Sequence, residues 1–233
     1  MLGIIAAHDY DWKGAEEQFR LARASEPVPS HIRMSYALDY LLPLGRFEEA
    51  SQEMSQAIAQ DPLNALLRGV RATTFSFAGM YERAIAEARE AMELGERSHL
   101  PLVLIAQSHF VQGRSAEARE AAEEAFRVAP WDPLTMGFLA RLLTDAGEMD
   151  RAAELLEKLS NMIAAGMVSY HLYGSEIDAA LDWYEKAIEE RQPFAAFWAS
   201  SARLKPLRSS ARWPKLAKMM NLPESLVPVD PAQ

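Results

Sequence analysis

Cysteine is absent from the 233-residue chain. This excludes disulfide bonds, thiolate nucleophiles and cysteine-ligated metals, but it leaves the compartment open because oxidising and reducing compartments both tolerate cysteine-free proteins. Long apolar runs are also missing, since no stretch approaches the roughly 20 apolar residues that a membrane-spanning helix needs. The short apolar start, residues 1–7, is followed at once by His8, Asp9 and Asp11, unlike a signal peptide or an anchor. We therefore expect a cytoplasmic protein with no membrane partner.

Positive charge is in short supply. The chain has 24 Lys and Arg against 33 Asp and Glu, which gives a net charge of -9. Binding to nucleic acid requires a basic surface that displaces counterions from phosphates, so we expect no nucleic-acid partner for this chain. With 49% hydrophobic and 24% charged residues, the composition is that of an ordered globular protein.

Signatures of catalysis and of metal binding are missing as well. The sequence contains no Gly-x-Gly-x-x-Gly, no phosphate-binding Gly-x4-Gly-Lys-Ser/Thr and no Gly-x-Ser-x-Gly. No two of its five histidines are spaced His-x-x-x-His, which would place two ligands on one helical face. Adjacent glutamates such as Glu48 and Glu49 diverge by about 100° on a helix and cannot form a carboxylate pair that converges on a substrate. We expect no enzyme, no metal site and no cofactor.

A repeat of fixed length runs through the sequence. Its copies are Gly45-x-Phe47-x-x-Ala50, Gly79-x-Tyr81-x-x-Ala84, Gly113-x-Ser115-x-x-Ala118 and Gly147-x-Met149-x-x-Ala152. Consecutive alanines of this pattern are 34 residues apart, and proline closes several units, at Pro27, Pro62 and Pro130. The small residues allow two antiparallel helices to approach closely, the glycine ends the first helix in a left-handed cap, and the proline prevents the second helix from continuing. Each unit is thus predicted to be a helix, a tight turn and a second helix.

These residues resemble the tetratricopeptide repeat family, whose unit is a 34-residue helix-turn-helix. The resemblance implies an all-α, right-handed α-solenoid of about five to six hairpins with an irregular C-terminal cap. We expect a repeat array over residues 1–193, a capping segment over 194–222 and a flexible tail over 223–233. The units of the array are expected at residues 1–30 (truncated), 31–64, 65–98, 99–132, 133–166 and 167–193 (shortened).

Both ends of the array depart from the repeat. The first hairpin keeps only a short first helix, from Leu2 to about His8, so we expect the natural array to extend upstream. Near the other end, Leu204-Lys-Pro-Leu-Arg-Ser209 resembles the ending of tetratricopeptide arrays in bacterial winged-helix transcriptional regulators, serine/threonine kinases and nucleotide cyclases. The resemblance implies that this chain is the sensory or partner-binding part of a bacterial regulatory protein, with no effector domain of its own.

The end of the chain is locally basic. Between Gln192 and Pro223 there is no Asp or Glu, and the basic residues are Arg203, Lys205, Arg208, Arg212, Lys215 and Lys218. A solenoid must cover its last apolar face, so we expect this segment to cap the array, with Trp198, Trp213 and Leu216 as lids. Docking to an acidic partner is the alternative.

Stacked hairpins of this family form an inner wall from their first helices, and this wall is the surface on which a partner segment would bind. The predicted partner-binding residues are Tyr36, Asp39, Thr73, Ser76, Phe77, Gln107, Phe110, Phe138, Arg141 and Asp145. Aromatic anchors with polar neighbours suit a peptide or a partner helix. The alternative is that some of the aromatics pack between units or under the C-terminal segment. Gly69 and Gly137 lie inside first helices, where they either make room for a ligand or allow close contact between helices.

The leading interpretation is a non-catalytic scaffold that binds a protein or peptide in the groove. One alternative is a self-associating scaffold, a homodimer through exposed terminal residues such as Leu2 and Ile5. A weaker alternative is an enzyme that uses the neighbouring Ser169, Tyr170 and His171, for which the sequence offers no activating base.

Overall fold

The computed structural model describes residues 1–24, 26–160 and 162–226, and every regular element within these ranges is helical. The α-helices are α1 (Leu2–His8), α2 (Trp12–Ala22), α3 (Ser30–Tyr36), α4 (Phe47–Gln60), α5 (Ala65–Phe77), α6 (Tyr81–Glu93), α7 (Leu100–Val111), α8 (Ser115–Val128), α9 (Pro133–Asp145), α10 (Met149–Leu159), α11 (Ala165–Tyr173), α12 (Ile177–Glu189), α13 (Pro193–Trp198), α14 (Lys205–Arg208) and α15 (Trp213–Met219). A π-helical turn, Ala37–Leu41, extends α3, and 3₁₀ turns occupy Ala202–Leu204 and Glu224–Leu226. The fold is an all-α solenoid of helix hairpins, as predicted. No helix in the described ranges has both the length and the apolarity to cross a membrane.

The turn inside each regular hairpin is a left-handed cap. Gly45, Gly79, Gly113 and Gly147 have φ between 72° and 78°, which confirms the prediction for these glycines. The amide after each glycine donates to the carbonyl five positions earlier, as between Met80 and Phe75 at 2.8 Å. These bonds satisfy carbonyl groups that the end of a helix leaves without partners. The turn therefore fixes where the first helix stops and the second begins.

The first and last hairpins use the same turn without glycine. Tyr10 (φ 61°) and Ser175 (φ 58°) take the left-handed position. The amides of Asp11 and Glu176 complete the turns through bonds to the carbonyls of Ala6 and His171, both at 2.9 Å. The pair α11 and α12 is thus an ordinary hairpin whose first helix is short.

The repeated alanines form the contact between the two helices of each hairpin. Five residues after each left-handed turn residue, an alanine with at most 1% exposure faces the preceding helix. These alanines are Ala15, Ala50, Ala84, Ala118, Ala152 and Ala180. A larger side chain at this position would push the helices apart, so small residues here set the spacing of the solenoid.

Two compact units make up the chain. Unit 1 contains residues 1–96 together with the chain from Ala195 onward, and unit 2 contains Arg97–Phe194. In unit 1, each helix from α1 to α6 packs against the next along the chain. In unit 2, α7 packs against α8, and α9 packs against α8, α10 and α11. The C-terminal segment thus belongs to unit 1, while the division into a repeat array over 1–193 and a capping segment over 194–222 stays a prediction.

The C-terminal segment, residues 195–226, packs against the hairpins at the beginning of the chain. The Trp12 indole N–H donates to the carbonyl of Met220 at 2.9 Å, and the Asn221 side-chain amide donates to the carbonyl of Tyr10 at 3.2 Å. The Ser200 hydroxyl donates to the carbonyl of Leu42. These bonds join the segment to the first two hairpins, and the expectation that it covers the last apolar face of the array stays a prediction.

Internal bonds hold the C-terminal segment in its own shape. The Arg208 guanidinium donates to the carbonyls of Ala199 and Ser201 at 2.8 and 2.7 Å. The Trp213 indole N–H donates to the carbonyl of Leu226 at 2.9 Å. The tail expected to be flexible from residue 223 therefore begins with a 3₁₀ turn packed beside Gly45, while residues 227–233 lie outside the described residues.

Helices α9 and α11 of unit 2 cross at two glycines. A Cβ atom on Gly137 would overlap the backbone of Gly166, and one on Gly166 would meet Leu159 and the carbonyl of Pro133. Of the two interpretations of Gly137, the structure supports close contact between helices. At Gly69, no atom lies within 4 Å of the position that a Cβ would occupy, so no such contact explains this glycine.

Candidate functional site

The first helix of each hairpin carries the predicted partner-binding residues, and we call the surface that they form in each unit its first-helix face. In unit 1 this face consists of the predicted residues of α3 with its π-helical turn and of those of α5, and in unit 2 of the predicted residues of α7 and α9. The two faces differ in what covers them.

On the first-helix face of unit 1, the C-terminal segment covers the predicted anchor. Phe77 is 1% exposed, its ring centroid lies 4.8 Å from that of Phe197, and the Arg203 guanidinium lies 5.5 Å from its centroid. Ser76 is fully buried, and its hydroxyl has no hydrogen-bond partner among the described residues. The alternative that aromatics pack under the C-terminal segment therefore describes Phe77.

Tyr36 packs between hairpins. Its ring stacks on that of Tyr40, with centroids 5.4 Å apart, and lies 5.4 Å from the ring of Phe19 on α2. The Arg23 guanidinium lies 4.2 Å from the Tyr36 ring. Tyr36 is therefore part of the contact between the first two hairpins.

Asp39 and Thr73 are partly exposed polar residues of the same face. Asp39 lies in the π-helical turn, where burial raises the pKa of its carboxyl group to about 6 against the opposing attraction of His8 and the N-terminal amine. The Thr73 hydroxyl donates to the carbonyl of Gly69, one helical turn earlier, at 3.1 Å. Neither residue contacts another predicted site residue through a hydrogen bond.

The first-helix face of unit 2 contains a cluster of three aromatic rings. Phe138 forms its base, with 1% exposure. The Phe110 and Tyr173 centroids lie 5.6 and 4.7 Å from that of Phe138 and 5.2 Å from each other, in edge-to-face geometry. Phe110 and Tyr173 are half-buried, so part of each ring remains accessible. The prediction brought together Phe110 and Phe138, and the structure adds Tyr173.

Beside this cluster lies a network of charged side chains. The Arg141 guanidinium donates from Nε to Asp145 Oδ1 at 2.9 Å and from Nη1 to Glu176 Oε1 at 3.1 Å. His171 Nδ1 lies 2.6 Å from Glu176 Oε2. These carboxylates raise the pKa of Arg141, chiefly through the hydrogen bond with Asp145. Because Phe138, Arg141 and Asp145 are spaced three and four residues apart on α9, the rings and the charges share one helical face.

Gln107 is the remaining predicted residue of this unit. It lies on α7 with 1% exposure, and both atoms of its side-chain amide lack hydrogen-bond partners among the described residues. Its partner-binding role stays a prediction.

Sequence reasoning missed Tyr173 and Glu176 as members of the site. They lie at the end of α11 and in the turn before α12, where the spacing between the repeated alanines falls from 34 to 28 residues. Aligning Ser175 with Gly147 by their left-handed turns places Tyr173 at the position of Asp145 in the preceding hairpin. The shortened spacing is visible in the sequence, but the alignment of Tyr173 with Asp145 becomes apparent only from the geometry of the two turns.

The geometry gives no support to catalysis by Ser169, Tyr170 and His171. Ser169 is 1% exposed, and its hydroxyl forms no hydrogen bond among the described residues. Its neighbour His171 pairs with Glu176 and packs edge-on against Tyr170. A serine nucleophile requires a base within hydrogen-bonding distance, which His171 does not provide here. Within the described ranges, no group of three or more His, Asp or Glu residues is arranged to hold a metal ion.

Comparisons with known proteins find one family model and several solved structures that match this chain. A model of the tetratricopeptide repeat family matches residues 109–164. No curated protein matches the sequence. Among solved structures, a chain of the APC/C hetero-tetramer Cut9-Hcn1 is similar over 92% of this chain and 47% of its own length, with a TM-score of 0.62 and 16% identity. PilF of Pseudomonas aeruginosa is similar over 84% of this chain and 91% of its own length, with a TM-score of 0.61 and 17% identity.

At these identities the structural likeness concerns the fold alone, and this chain spans about half of the Cut9-Hcn1 chain that it matches. The family match covers the unit 2 segment in which α8 to α10 lie. The same turn and alanine pattern extends through the hairpins on either side of that segment. The family match over residues 109–164, the repeat register and the hairpin geometry together support a tetratricopeptide repeat assignment.

Proposed function

We propose that the chain is a non-catalytic scaffold that binds a segment of a partner protein on the first-helix face of unit 2. Helical-repeat scaffolds of this family generally use extended surfaces of this kind to bind proteins. The observation that carries the proposal is a contrast between the units. The chain's own C-terminal segment covers Phe77, the aromatic anchor predicted at the end of α5 in unit 1, whereas unit 2 retains the partly exposed rings of Phe110 and Tyr173.

The chemistry of this face suits a protein segment. Aromatic side chains that present part of a ring supply large contact areas and are common among the residues that dominate binding energies. The adjacent carboxylates of Asp145 and Glu176 are 43% and 45% exposed, so they can orient a polar or charged group of the partner. Phe138 is buried beneath the rings of Phe110 and Tyr173 and gives them a rigid base.

A capture experiment tests the proposal. The wild-type chain and the variant Phe110→Ala would each be immobilised and exposed to native lysate, with quantitative mass spectrometry of the bound proteins. We expect at least one protein to be depleted about tenfold or more with Phe110→Ala, as for loss of a central aromatic anchor. Phe126→Ala is the matched control, because Phe126 is a half-buried phenylalanine on the second helix α8.

Two further measurements make the result specific. A photo-crosslinking residue at Val111, which is 44% exposed next to Phe110, should form a covalent adduct with the same protein. Circular dichroism and thermal melting must show that both variants fold. Equal capture by wild type, Phe110→Ala and Phe126→Ala would remove the first-helix face of unit 2 as a binding site.

Self-association is a second candidate function, favoured by the end of the solenoid. Leu2 and Ile5 on α1 are 65% and 52% exposed, an apolar pair on a helix that a second copy could cover. Light scattering across a concentration series would show a dimer that the variant Ile5→Lys disrupts. A monomer at all concentrations would exclude this candidate.

We also propose that the chain belongs to a bacterial regulatory protein of the cytoplasm, on the resemblance of Leu204 to Ser209. The fold gives these residues a structural role, since Leu204 and Leu207 are buried and Arg208 binds the carbonyls of Ala199 and Ser201. The parent coding sequence tests the regulatory role, which fails if no effector domain is encoded with these repeats. Cell fractionation tests the compartment.

A further inference from the structure

We propose that the segment bound on the first-helix face of unit 2 is basic and carries an aromatic side chain close to an arginine or lysine. This inference rests on the function proposed above and specifies the chemistry of the partner. Three observations support it. Arg141 is already bonded to two carboxylates, and one carboxylate oxygen of Asp145 has no partner among the described residues. In unit 1, the C-terminal segment makes a contact of the same kind with Phe77.

Arg141 is not available to an anionic partner. Its guanidinium is bonded to both Asp145 and Glu176, and its side chain is only 14% exposed. An acidic guest would therefore meet two exposed carboxylates whose neutralising arginine is already engaged. Like charges brought together in this way disfavour binding. The partner that fits is a cation.

One carboxylate oxygen remains for such a cation. The Arg141 bonds to Asp145 engage Oδ1, and among the described residues no hydrogen bond or ion pair involves Oδ2. With the side chain 43% exposed, Oδ2 can accept from a guanidinium or ammonium group that approaches from solvent. A cation at this position would lie on the same face of α9 as Phe138, whose ring supports Phe110 and Tyr173.

Aromatic rings next to the carboxylate strengthen this preference. A guanidinium attracted to Asp145 can also lie over a ring face, and an aromatic side chain of the partner can pack against the partly exposed rings of Phe110 and Tyr173. A segment with a cationic and an aromatic side chain would contact both the carboxylate of Asp145 and the rings of Phe110 and Tyr173. A purely apolar segment would leave the carboxylates desolvated without compensation.

The chain provides its own example of this chemistry in unit 1. There the C-terminal segment places the ring of Phe197 and the guanidinium of Arg203 against Phe77. Phe77 and Asp145 occupy the same register position, two repeats apart. The equivalent face of the same repeat type therefore accommodates an aromatic residue and an arginine from a segment that has no acidic residues between Gln192 and Pro223.

The net negative charge of unit 2 also favours a basic partner. Between residues 97 and 194 the sequence has sixteen Asp and Glu against nine Lys and Arg, so unit 2 attracts a basic segment before contact. Attraction between exposed charges is screened over roughly 10 Å at 0.1 M salt, which makes salt dependence a direct test.

Fluorescence anisotropy with three labelled peptides tests the inference on the full chain. The first has the sequence of residues 194–208, which contains Phe197, Arg203, Lys205 and Arg208. The second replaces its three basic residues by glutamine, and the third replaces them by glutamate. We expect the first to bind, the second to bind at least about tenfold more weakly and the third not to bind, with added salt weakening only the first.

Protein variants locate the binding. Asp145→Lys and Phe110→Ala should each weaken binding of the basic peptide at least about fivefold, since they remove the carboxylate and the ring. Glu154→Lys is the matched control, because it makes the same change in net charge at an exposed position of α10. Binding unaffected by Asp145→Lys and Phe110→Ala would place the peptide elsewhere, including unit 1, and would overturn the inference.

The outcomes separate this inference from the function on which it rests. Binding of the glutamate peptide as tight as that of the basic peptide, or no binding of any peptide, overturns the basic-partner inference. Capture of a protein that depends on Phe110 but survives Asp145→Lys and high salt also overturns it, while the scaffold function stands. If capture from the lysate does not depend on Phe110, the proposed scaffold function on this face fails as well.

Discussion

Replacing Trp213 by alanine should destabilise the beginning of the chain, although the two are far apart in sequence. Trp213 is fully buried in unit 1, and its indole N–H donates to the carbonyl of Leu226 at 2.9 Å. Burial of an aromatic side chain of this size removes about 150–250 Å² from water, which at about 25 cal/mol per Å² corresponds to about 4–6 kcal/mol. Measured truncations of buried tryptophan to alanine cost about 3–5 kcal/mol. We expect Trp213→Ala to lower the free energy of unfolding of unit 1 by about 4 kcal/mol.

Urea denaturation followed by far-ultraviolet circular dichroism measures this change. Trp131→Ala is the matched control, because Trp131 is 66% exposed and its loss should cost less than about 0.5 kcal/mol. Hydrogen exchange would show which helices are destabilised, since Trp213→Ala should lower the protection of backbone amides in α2 and α5 more than in α9 or α11. If both tryptophan variants unfold at the same urea concentration, the C-terminal segment is not part of the unit 1 core. Phe77 would then be open to a partner, and the choice of unit 2 as the binding face would lose its basis.

Further predictions concern Asp39, Gly69 and Gly137. Burial raises the pKa of Asp39 from 3.8 to about 6, so the folded state binds its proton more tightly than the unfolded state and the free energy of unfolding falls as pH rises through this interval. Asp39→Asn should remove that slope and stabilise the protein by about 1–3 kcal/mol at pH 7, which thermal melts between pH 4 and pH 7 would detect; an unchanged slope would contradict the assignment. Gly69→Ala should stabilise the protein by about 0.5–1 kcal/mol, since nothing lies within 4 Å of its added Cβ. Gly137→Ala should destabilise it by about 2–3 kcal/mol through overlap with Gly166, and chemical denaturation that ranks the two variants the other way would refute the assigned crossing.

The hairpins could be predicted from the sequence because their determinants are local. The turn at Gly79 and the packing of Ala84 depend on residues within one 34-residue unit, and the same pattern recurs in successive units. The turns at Tyr10 and Ser175 follow the same geometry with residues that rarely adopt positive φ, so composition alone does not reveal them. The secondary structure and the pairing of helices could therefore be predicted from the repeat, including the short first helices at both ends.

The position of the C-terminal segment could not be predicted in this way. The bond from Trp12 to the carbonyl of Met220 joins residues 208 positions apart, and no periodicity connects them. The sequence indicates that Trp213 and Leu216 are apolar lids, but it does not indicate which apolar face they cover. For the same reason the ten predicted groove residues could be placed on first helices, while the division into covered and accessible positions required the structure. Phe77 and Phe110 both lie near the end of a first helix, and the sequence does not indicate that the C-terminal segment packs on Phe77.

The departure from the regular repeat is what assembles the site in unit 2. The turn residue of the last hairpin, Ser175, follows Gly147 by 28 residues instead of 34, and Gly137 and Gly166 let α11 cross α9 in backbone contact. That crossing brings Tyr173 to the ring of Phe138 and Glu176 to the guanidinium of Arg141. Glu176, in the turn of this short hairpin, gives Arg141 a second carboxylate besides Asp145 of its own helix. The same irregular spacing that obscures the last repeat in the sequence therefore supplies one of the two carboxylates on which the inferred preference for a basic partner rests.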